Sequence, residues 1–502
     1  MRLSQNKLIP MLALPAAAAA LASSNASIEW VPCPRGTSPR LDCGEIQVPL
    51  TYRGGSSIEA ADNRTIVLGL TRLNSTGDNT RGPLFVNPGG PGGATQAIVA
   101  AGVGDEEYRF GRAVMELYDI VGLDPRGVGR STPVRCDPEL FNRRTQMLVN
   151  STETFEAVKQ YGRDLGESCA NLTGPLINYL DTIHVAKDHE VVRRALGAGQ
   201  FDLLGLSYGS MIGSTYLELF PRHVGRMVFD GITDHAQSEV GSLFTEATTF
   251  EATLNQWFKW CDNRDDCAMK ADINDTKRVF ELLAADAALS PLPAPGCNTT
   301  CRPTVTFEDL MTNVQASLGT YPDGWTDLAD NLALAVLGNA TAISADIMTS
   351  TTPDPAAGFS PYAGLAIGCQ DWRHSAASAQ DITQRLAAVA VFAPITRGVT
   401  QSLAYQTLCL GWPADTTFPQ RPLNETSAGG SAPPVLLVSS VYDPECSLVW
   451  AEGVREQLPS AVSVTRNGSG HTSHGMLGDT RDAIDVFFAT GELPEDGTVY
   501  QS

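Results

Sequence analysis

The chain has 502 residues, enough for up to three domains at roughly 150 residues each, although α/β folds often run longer as one. Hydrophobic residues make up 43% and charged residues 18%, which excludes a disordered or fibrous chain and leaves material for a large core. The formal net charge of -21, from 35 Lys+Arg against 56 Asp+Glu, repels phosphate and argues against nucleic acid or an anionic membrane as partner.

Residues 1–24 read as a signal peptide. Arg2 and Lys7 form a basic start, residues 8–22 are apolar and small, and Ala20-Leu21-Ala22 gives an A-x-A-like end. The apolar stretch is short for a membrane span, and a first buried helix is the other reading. No further run of 18 apolar residues follows, so the expectation is a secreted protein without a membrane span. Two other features point the same way. N-x-[ST] sequons stand at Asn25, Asn63, Asn74, Asn150, Asn171, Asn274, Asn298, Asn339, Asn424 and Asn467, candidates for glycosylation, although several would arise by chance. The cysteines number 11, which in an oxidising compartment reads as five bridges and one free thiol. Zinc fits poorly, because the closest cysteine spacings, C-x5-C and C-x3-C, have no histidine cluster beside them. Nothing calls for a metal or another cofactor.

From residue 25 to 234 strand-like and helix-like segments alternate. Strands are expected at 65–70, 83–86, 118–123, 201–206 and 226–230, and helices at 181–196 and 210–220. Such alternation implies βαβ units, hence an α/β fold with a mostly parallel sheet flanked by helices. From 235 to 360 the pattern turns helical, with Trp257, Trp260, Trp325 and the close pairs Cys261/Cys267 and Cys297/Cys301. This segment reads as an inserted, mainly helical cap that roofs a short closed-ended cleft. Helical pattern continues from 362, and the sheet pattern resumes at 433–439 and 461–465, so residues 361–502 complete the core.

The chemistry-bearing signal is Gly205-Leu206-Ser207-Tyr208-Gly209, a G-x-S-x-G between an apolar strand and a helix. A strained turn of this kind exposes a serine hydroxyl, and the small neighbours let it close. A serine needs a base and an orienting acid, which in this architecture follow in the order Ser, Asp or Glu, His. Asp443 ends a late strand, and His471 follows the last one. His474 competes for the base, and for Asp443 the alternative is a turn aspartate before Pro444. The Gly-rich turn Asn87-Pro88-Gly89-Gly90-Pro91 can supply one oxyanion-hole N–H, from Gly89 or Gly90, with Tyr208 N–H as the other; a plain tight turn is the alternative.

Together, 87–93, the run Gly122-Leu123-Asp124-Pro125-Arg126-Gly127-Val128-Gly129-Arg130-Ser131, 205–209, Asp230-Gly231, Asp443-Pro444, Gly470-His471-Thr472-Ser473 and Gly491-Glu492-Leu493-Pro494 resemble the secreted tripeptidyl and prolyl aminopeptidase-like serine hydrolases. The resemblance implies an α/β-hydrolase fold with a helical cap and the family's C-terminal module. It implies Ser207, Asp443 and His471 as triad, and the bridges Cys33–Cys43, Cys136–Cys169, Cys261–Cys267, Cys297–Cys301 and Cys369–Cys409. Where this chain has Cys446 the family usually has threonine, and where it has Tyr500 a cysteine, so Cys446 is the expected free thiol.

The implied activity is an exopeptidase that releases short N-terminal fragments from peptides. Such an enzyme needs a carboxylate for the substrate's α-ammonium, and Asp234, Glu239 and Glu251 at the entry to the cap are candidates. The alternatives are an esterase or lactone hydrolase of a small metabolite, and a non-catalytic binding protein on a hydrolase scaffold.

Overall fold

The computed structural model describes residues 26–33, 37–78, 80–103, 110–270, 275–424 and 432–501. The expected signal peptide and the sequons Asn25 and Asn274 lie outside these residues. Ten strands form one sheet: β1 (Glu29–Val31), β2 (Leu41–Pro49), β3 (Thr65–Leu73), β4 (Gly82–Asn87), β5 (Tyr118–Leu123), β6 (Phe201–Leu206), β7 (Val224–Asp230), β8 (Leu436–Tyr442), β9 (Val462–Ser469) and β10 (Thr498–Tyr500). Their order is β1-β2-β3-β5-β4-β6-β7-β8-β9-β10. From β5 to β10 every pairing is parallel, and β1, β2 and β3 add an antiparallel edge.

The apolar strands are explained by burial on both faces. Leu84, Val86, Leu204, Val228, Leu436 and Val438 pack to one side, with Ile484, Phe487 and Phe488 of the helix Asp479–Thr490. Phe85, Leu203, Met227, Phe229 and Leu437 pack to the other, with Met211, Ile212 and Tyr216 of the helix Tyr208–Leu219. The period of two along each strand thus builds two cores from one sheet.

Between neighbouring strands β7 and β8 the chain leaves the sheet for some two hundred residues. Helices Glu239–Asp262, Thr276–Leu289, Phe307–Gly319 and Asp323–Val336 bury an apolar cluster of their own, including Phe250, Leu254, Trp257, Phe280, Leu310, Val314, Trp325 and Leu332. The helical run does not end with the expected cap: Ile395 and Val399 join that cluster, whereas Tyr362, Ala363, Ala366 and Ile367 of the helix Pro361–Asp371 pack on the sheet side. Disulfides join Cys33–Cys43, Cys136–Cys169, Cys261–Cys267, Cys297–Cys301 and Cys369–Cys409, and Cys446 is a buried free thiol. Among the described residues no helix is long and apolar enough to cross a membrane.

The run 122–131 is scaffold. Asp124 accepts hydrogen bonds from Thr95 N–H and hydroxyl (2.7 Å each) and from Arg130 N–H (2.8 Å). Arg126, fully buried, donates to both oxygens of Asp188 (2.8 and 2.7 Å) and to the carbonyls of Leu50 and Tyr179. A buried guanidinium needs such saturation, since breaking a buried ion pair costs about 3–5 kcal/mol.

Candidate active site

Ser207 stands between β6 and the helix Tyr208–Leu219, with φ 56° and ψ −126°. A non-glycine residue at positive φ is strained, on the order of 1–3 kcal/mol, and the surroundings hold it there. Ser207 N–H donates to Asp230 O (2.9 Å), and Ser207 O accepts from Ser210 N–H (2.8 Å) and hydroxyl (2.6 Å). The flanking glycines are required by space: a Cβ on Gly205 would lie 2.5 Å from Gly209 O, and one on Gly209 2.8 Å from Asn87 O.

β8 and β9 deliver the acid and the histidine. Asp443, wholly buried, accepts from Glu445 N–H (2.9 Å) and Cys446 N–H (2.8 Å), which fixes the carboxylate. Its two oxygens lie 3.0 and 2.9 Å from His471 Nδ1, so this nitrogen carries a hydrogen toward the acid and leaves Nε2 as the reactive edge. The histidine loop is clamped from β9: buried Arg466 donates to the carbonyls of Ser469, Gly470 and Thr472 and to the Ser473 hydroxyl. Asp230 accepts from Ser473 and His474 N–H on the other side. Gly231 (φ 69°) admits the ring, since a Cβ there would lie 3.1 Å from His471 Cε1. His474, the competing histidine, is buried against Phe110 with Nε2 3.9 Å from Asp485, whereas the Asp443 carboxylate engages His471. The sequence marks neither as a support of the histidine loop: Asp230 reaches it from 243 positions away, and Arg466, only 3 to 7 residues from its partners, stands in a strand with no pattern that turns it toward them.

Burial disfavours the imidazolium of His471, but the carboxylates of Asp443 and Glu445 outweigh it and raise the group to about 10. Ser207 Oγ lies 3.9 Å from Cys446 Sγ, and among the described residues no hydrogen bond joins it to His471. Nucleophile–base contacts are often loose without substrate.

The oxyanion candidates separate. Gly89 N–H already donates to Asn87 Oδ1 (2.9 Å), whereas Gly90 and Tyr208 N–H have no partner among the described residues and both residues line the cavity. Gly89 instead provides close approach: a Cβ there would lie 2.7 Å from Ser207 Cβ. Gly90 O accepts from Gln401 Nε2 (3.2 Å). The Tyr208 phenol is anchored by Thr182 (2.5 Å), whose hydroxyl also donates to Asp371 (2.7 Å).

Ser207, Tyr208 and Gly90 open into a cavity of about 2010 Å³ that runs beneath the helical region as far as Arg144, Glu308 and Asp346. This is not a short cleft; it exceeds the roughly 300–1,000 Å³ common for small-ligand sites. Of the carboxylates considered for a substrate amine, Asp234 lines the cavity but is occupied by Ala236 N–H, Gln237 and Gln457. Glu239 and Glu251 are not among the lining residues. Glu239 tethers Ser375 and Arg385, and Glu251 accepts from Ile395 and Thr396 N–H. Both hold the long helix Glu239–Asp262 to its neighbours, a role helical spacing alone does not reveal. Glu246, Glu308 and Glu445 line the cavity instead, and no motif or spacing in the sequence marks these three.

A serine elbow at the carboxyl end of a mostly parallel sheet, with an Asp–His pair on the strands that follow, defines an α/β-hydrolase. Residues 82–265 match the family model of the alpha/beta hydrolase fold, and residues 394–500 that of the TAP-like protein. The chain belongs to the α/β-hydrolases that carry a TAP-like C-terminal part, and it is a serine hydrolase. Tripeptidyl aminopeptidase of Streptomyces lividans is 27% identical over 499 residues, covering 95% of this chain and 87% of that protein. Serine protease Hip1 of Mycobacterium tuberculosis is 28% identical over 464 residues (89% and 85%). Carboxylesterase B of the same species is 29% identical over 469 residues (90% and 85%).

Proposed function

We propose that the protein is a secreted serine exopeptidase that releases short N-terminal fragments from peptides. The observation that carries this reading is the hydrogen-bonded pair Asp443–His471 in the site that also holds the strained Ser207, whose cavity presents two unengaged N–H groups, of Gly90 and Tyr208. Ser207 Oγ attacks the substrate carbonyl as His471 Nε2 takes its proton. Asp443 orients the imidazole and stabilises the imidazolium, and the two N–H groups receive the oxyanion. The imidazolium then protonates the leaving amine. Water, activated by the same nitrogen, releases the acyl group. Five disulfides support an oxidising compartment, and the sequons support glycosylation there. The relatives named as aminopeptidase and serine protease support an amide substrate.

The relative named as a carboxylesterase favours a second reading, with the same triad acting on a small ester or lactone. A panel of free and N-acetylated aminoacyl and tripeptidyl p-nitroanilides, beside p-nitrophenyl esters, separates the two. The exopeptidase reading predicts that free amides are cleaved far faster than blocked ones. Equal rates on both overturn the exopeptidase reading, and brisk ester cleavage without amide cleavage establishes the second.

A further inference from the structure

His471 is bracketed by two carboxylates. Asp443 holds Nδ1, and Glu445, two residues on, places Oε2 3.6 Å from Nε2, the nitrogen that must receive the Ser207 proton. At that distance the second contact is one of charge rather than a hydrogen bond. The pair is held from above by the helix Phe307–Gly319. Gly319 O accepts from His471 N–H (2.8 Å), Gln315 Nε2 donates to Pro444 O (3.0 Å), and a Cβ on Gly319 would lie 3.1 Å from Glu445 Oε1. The same helix end thus packs against both the acid turn and the histidine.

We propose that Glu445 is a positioning residue: its carboxylate holds the Nε2 edge of His471 in the free enzyme and sets the pH at which that nitrogen can accept the Ser207 proton. The inference rests on the triad reading above. The chemistry is one proton transfer, in which the Ser207 O–H bond breaks as the His471 Nε2–H bond forms, and it needs a neutral imidazole. The charged groups around the ring are Asp443 and Glu445 on the acid turn and Asp230 at the end of β7, with Arg466 on β9 donating to the loop carbonyls beside it and the Gly319 carbonyl of the helical region on the His471 backbone N–H. Three carboxylates against one guanidinium favour the imidazolium, in keeping with the rise of His471 to about 10. Removing one of those carboxylates therefore favours the neutral, competent form.

The test is kcat/KM against pH, on the best substrate of the panel, for the native enzyme, Glu445→Gln and Glu445→Asp. The acidic limb should move to lower pH by about one unit in Glu445→Gln, a modest shift for loss of one neighbouring charge. Glu445→Asp should restore most of the native limb. Superimposed native and Glu445→Gln limbs overturn the proposal. If the glutamine variant does not fold, Glu445→Ala is put through the same pH profile: an acidic limb moved to lower pH supports the proposal, and one superimposed on the native limb overturns it. Ser207→Ala keeps the two claims apart: if that variant retains full turnover the triad reading fails, whatever Glu445 does.

Discussion

The sheet and the helical region above it hold themselves together in different ways. The sheet joins strands far apart in sequence, and two of its side disulfides close wide loops, Cys136–Cys169 with a separation of 33 and Cys369–Cys409 with 40. The helical region buries its own cluster, ties Trp257 Nε1 to Trp325 O (3.1 Å) and Trp325 Nε1 to Leu318 O (3.0 Å), and its disulfides close only short loops, with separations of 6 and 4. Every group assigned to the triad and oxyanion hole stands on the sheet or its connecting turns. The helical region supplies much of the cavity wall and the rear contacts through Gln315, Gly319 and Gln401. On the proposed reading, the catalytic groups and much of the cavity wall therefore stand on different parts of the chain, joined by hydrogen bonds such as those of Gln315, Gly319 and Gln401.

The largest expected effect lies on the sheet side. Ser207→Ala should lower turnover by at least about 10³-fold with folding intact, because no other group in the site replaces the nucleophile. Circular dichroism checks the fold and the substrate panel checks the rate. Native-like turnover in the alanine variant would dissolve the division, since the chemistry would then lie elsewhere.

The second effect is on stability and belongs to the helical region. Trp325 is 2% exposed and sits at the centre of the second cluster, with its indole N–H satisfied. Trp325→Ala should cost about 3–5 kcal/mol, by lost burial and the cavity left behind. If the two regions are separate cooperative units, hydrogen exchange should quicken in residues 250–343 while β6, β7 and β8 stay protected. Uniform loss of protection across the sheet shows instead that they unfold as one.

The same division decides what the sequence reveals. β5 and β6 are legible because strands buried on both faces read as unbroken apolar runs. Ser207 and Asp443 are legible because each lies just past such a strand, and His471 because it follows the last expected strand in the order Ser, Asp, His, in a turn with small neighbours. β1, β2 and β10 escape notice. β2 carries Asp42 and Glu45 among its apolar residues, and β1 and β10 have three residues each, too few to show a period. The cavity carboxylates are the least legible. Glu239, Glu246 and Glu251 share one helix, and which of them faces the cavity depends on what packs against each side. Glu246 itself is satisfied by Gln315 and by Gln401 and Ser402 N–H, contacts made with residues from 69 to 156 positions away.

The smallest expected effect is at the border of the two regions, at Cys446. Its sulfur lies 3.9 Å from both Ser207 Oγ and Thr233 Oγ1, it lines the cavity, and it is 4% exposed. Proximity to the nucleophile invites a chemical role for the thiol. Such a role needs the thiolate, which is the reactive form. Here burial first, and then the carboxylates of Asp443 and Glu445, push the thiol well above its usual range, so at neutral pH it stays protonated and inert. The side chain then acts as a small apolar wall beside Ser207. Cys446→Ser should change kcat/KM by less than about threefold, and iodoacetamide at pH 7 should leave the native enzyme active. After denaturation without reductant one thiol per chain should react, because the other ten cysteines are paired. Inactivation of the native enzyme with one label on Cys446 would mean that the thiol ionises in place. The carboxylates around His471 would then be weaker than the geometry indicates, and the pH limb assigned to Glu445 would shrink with them.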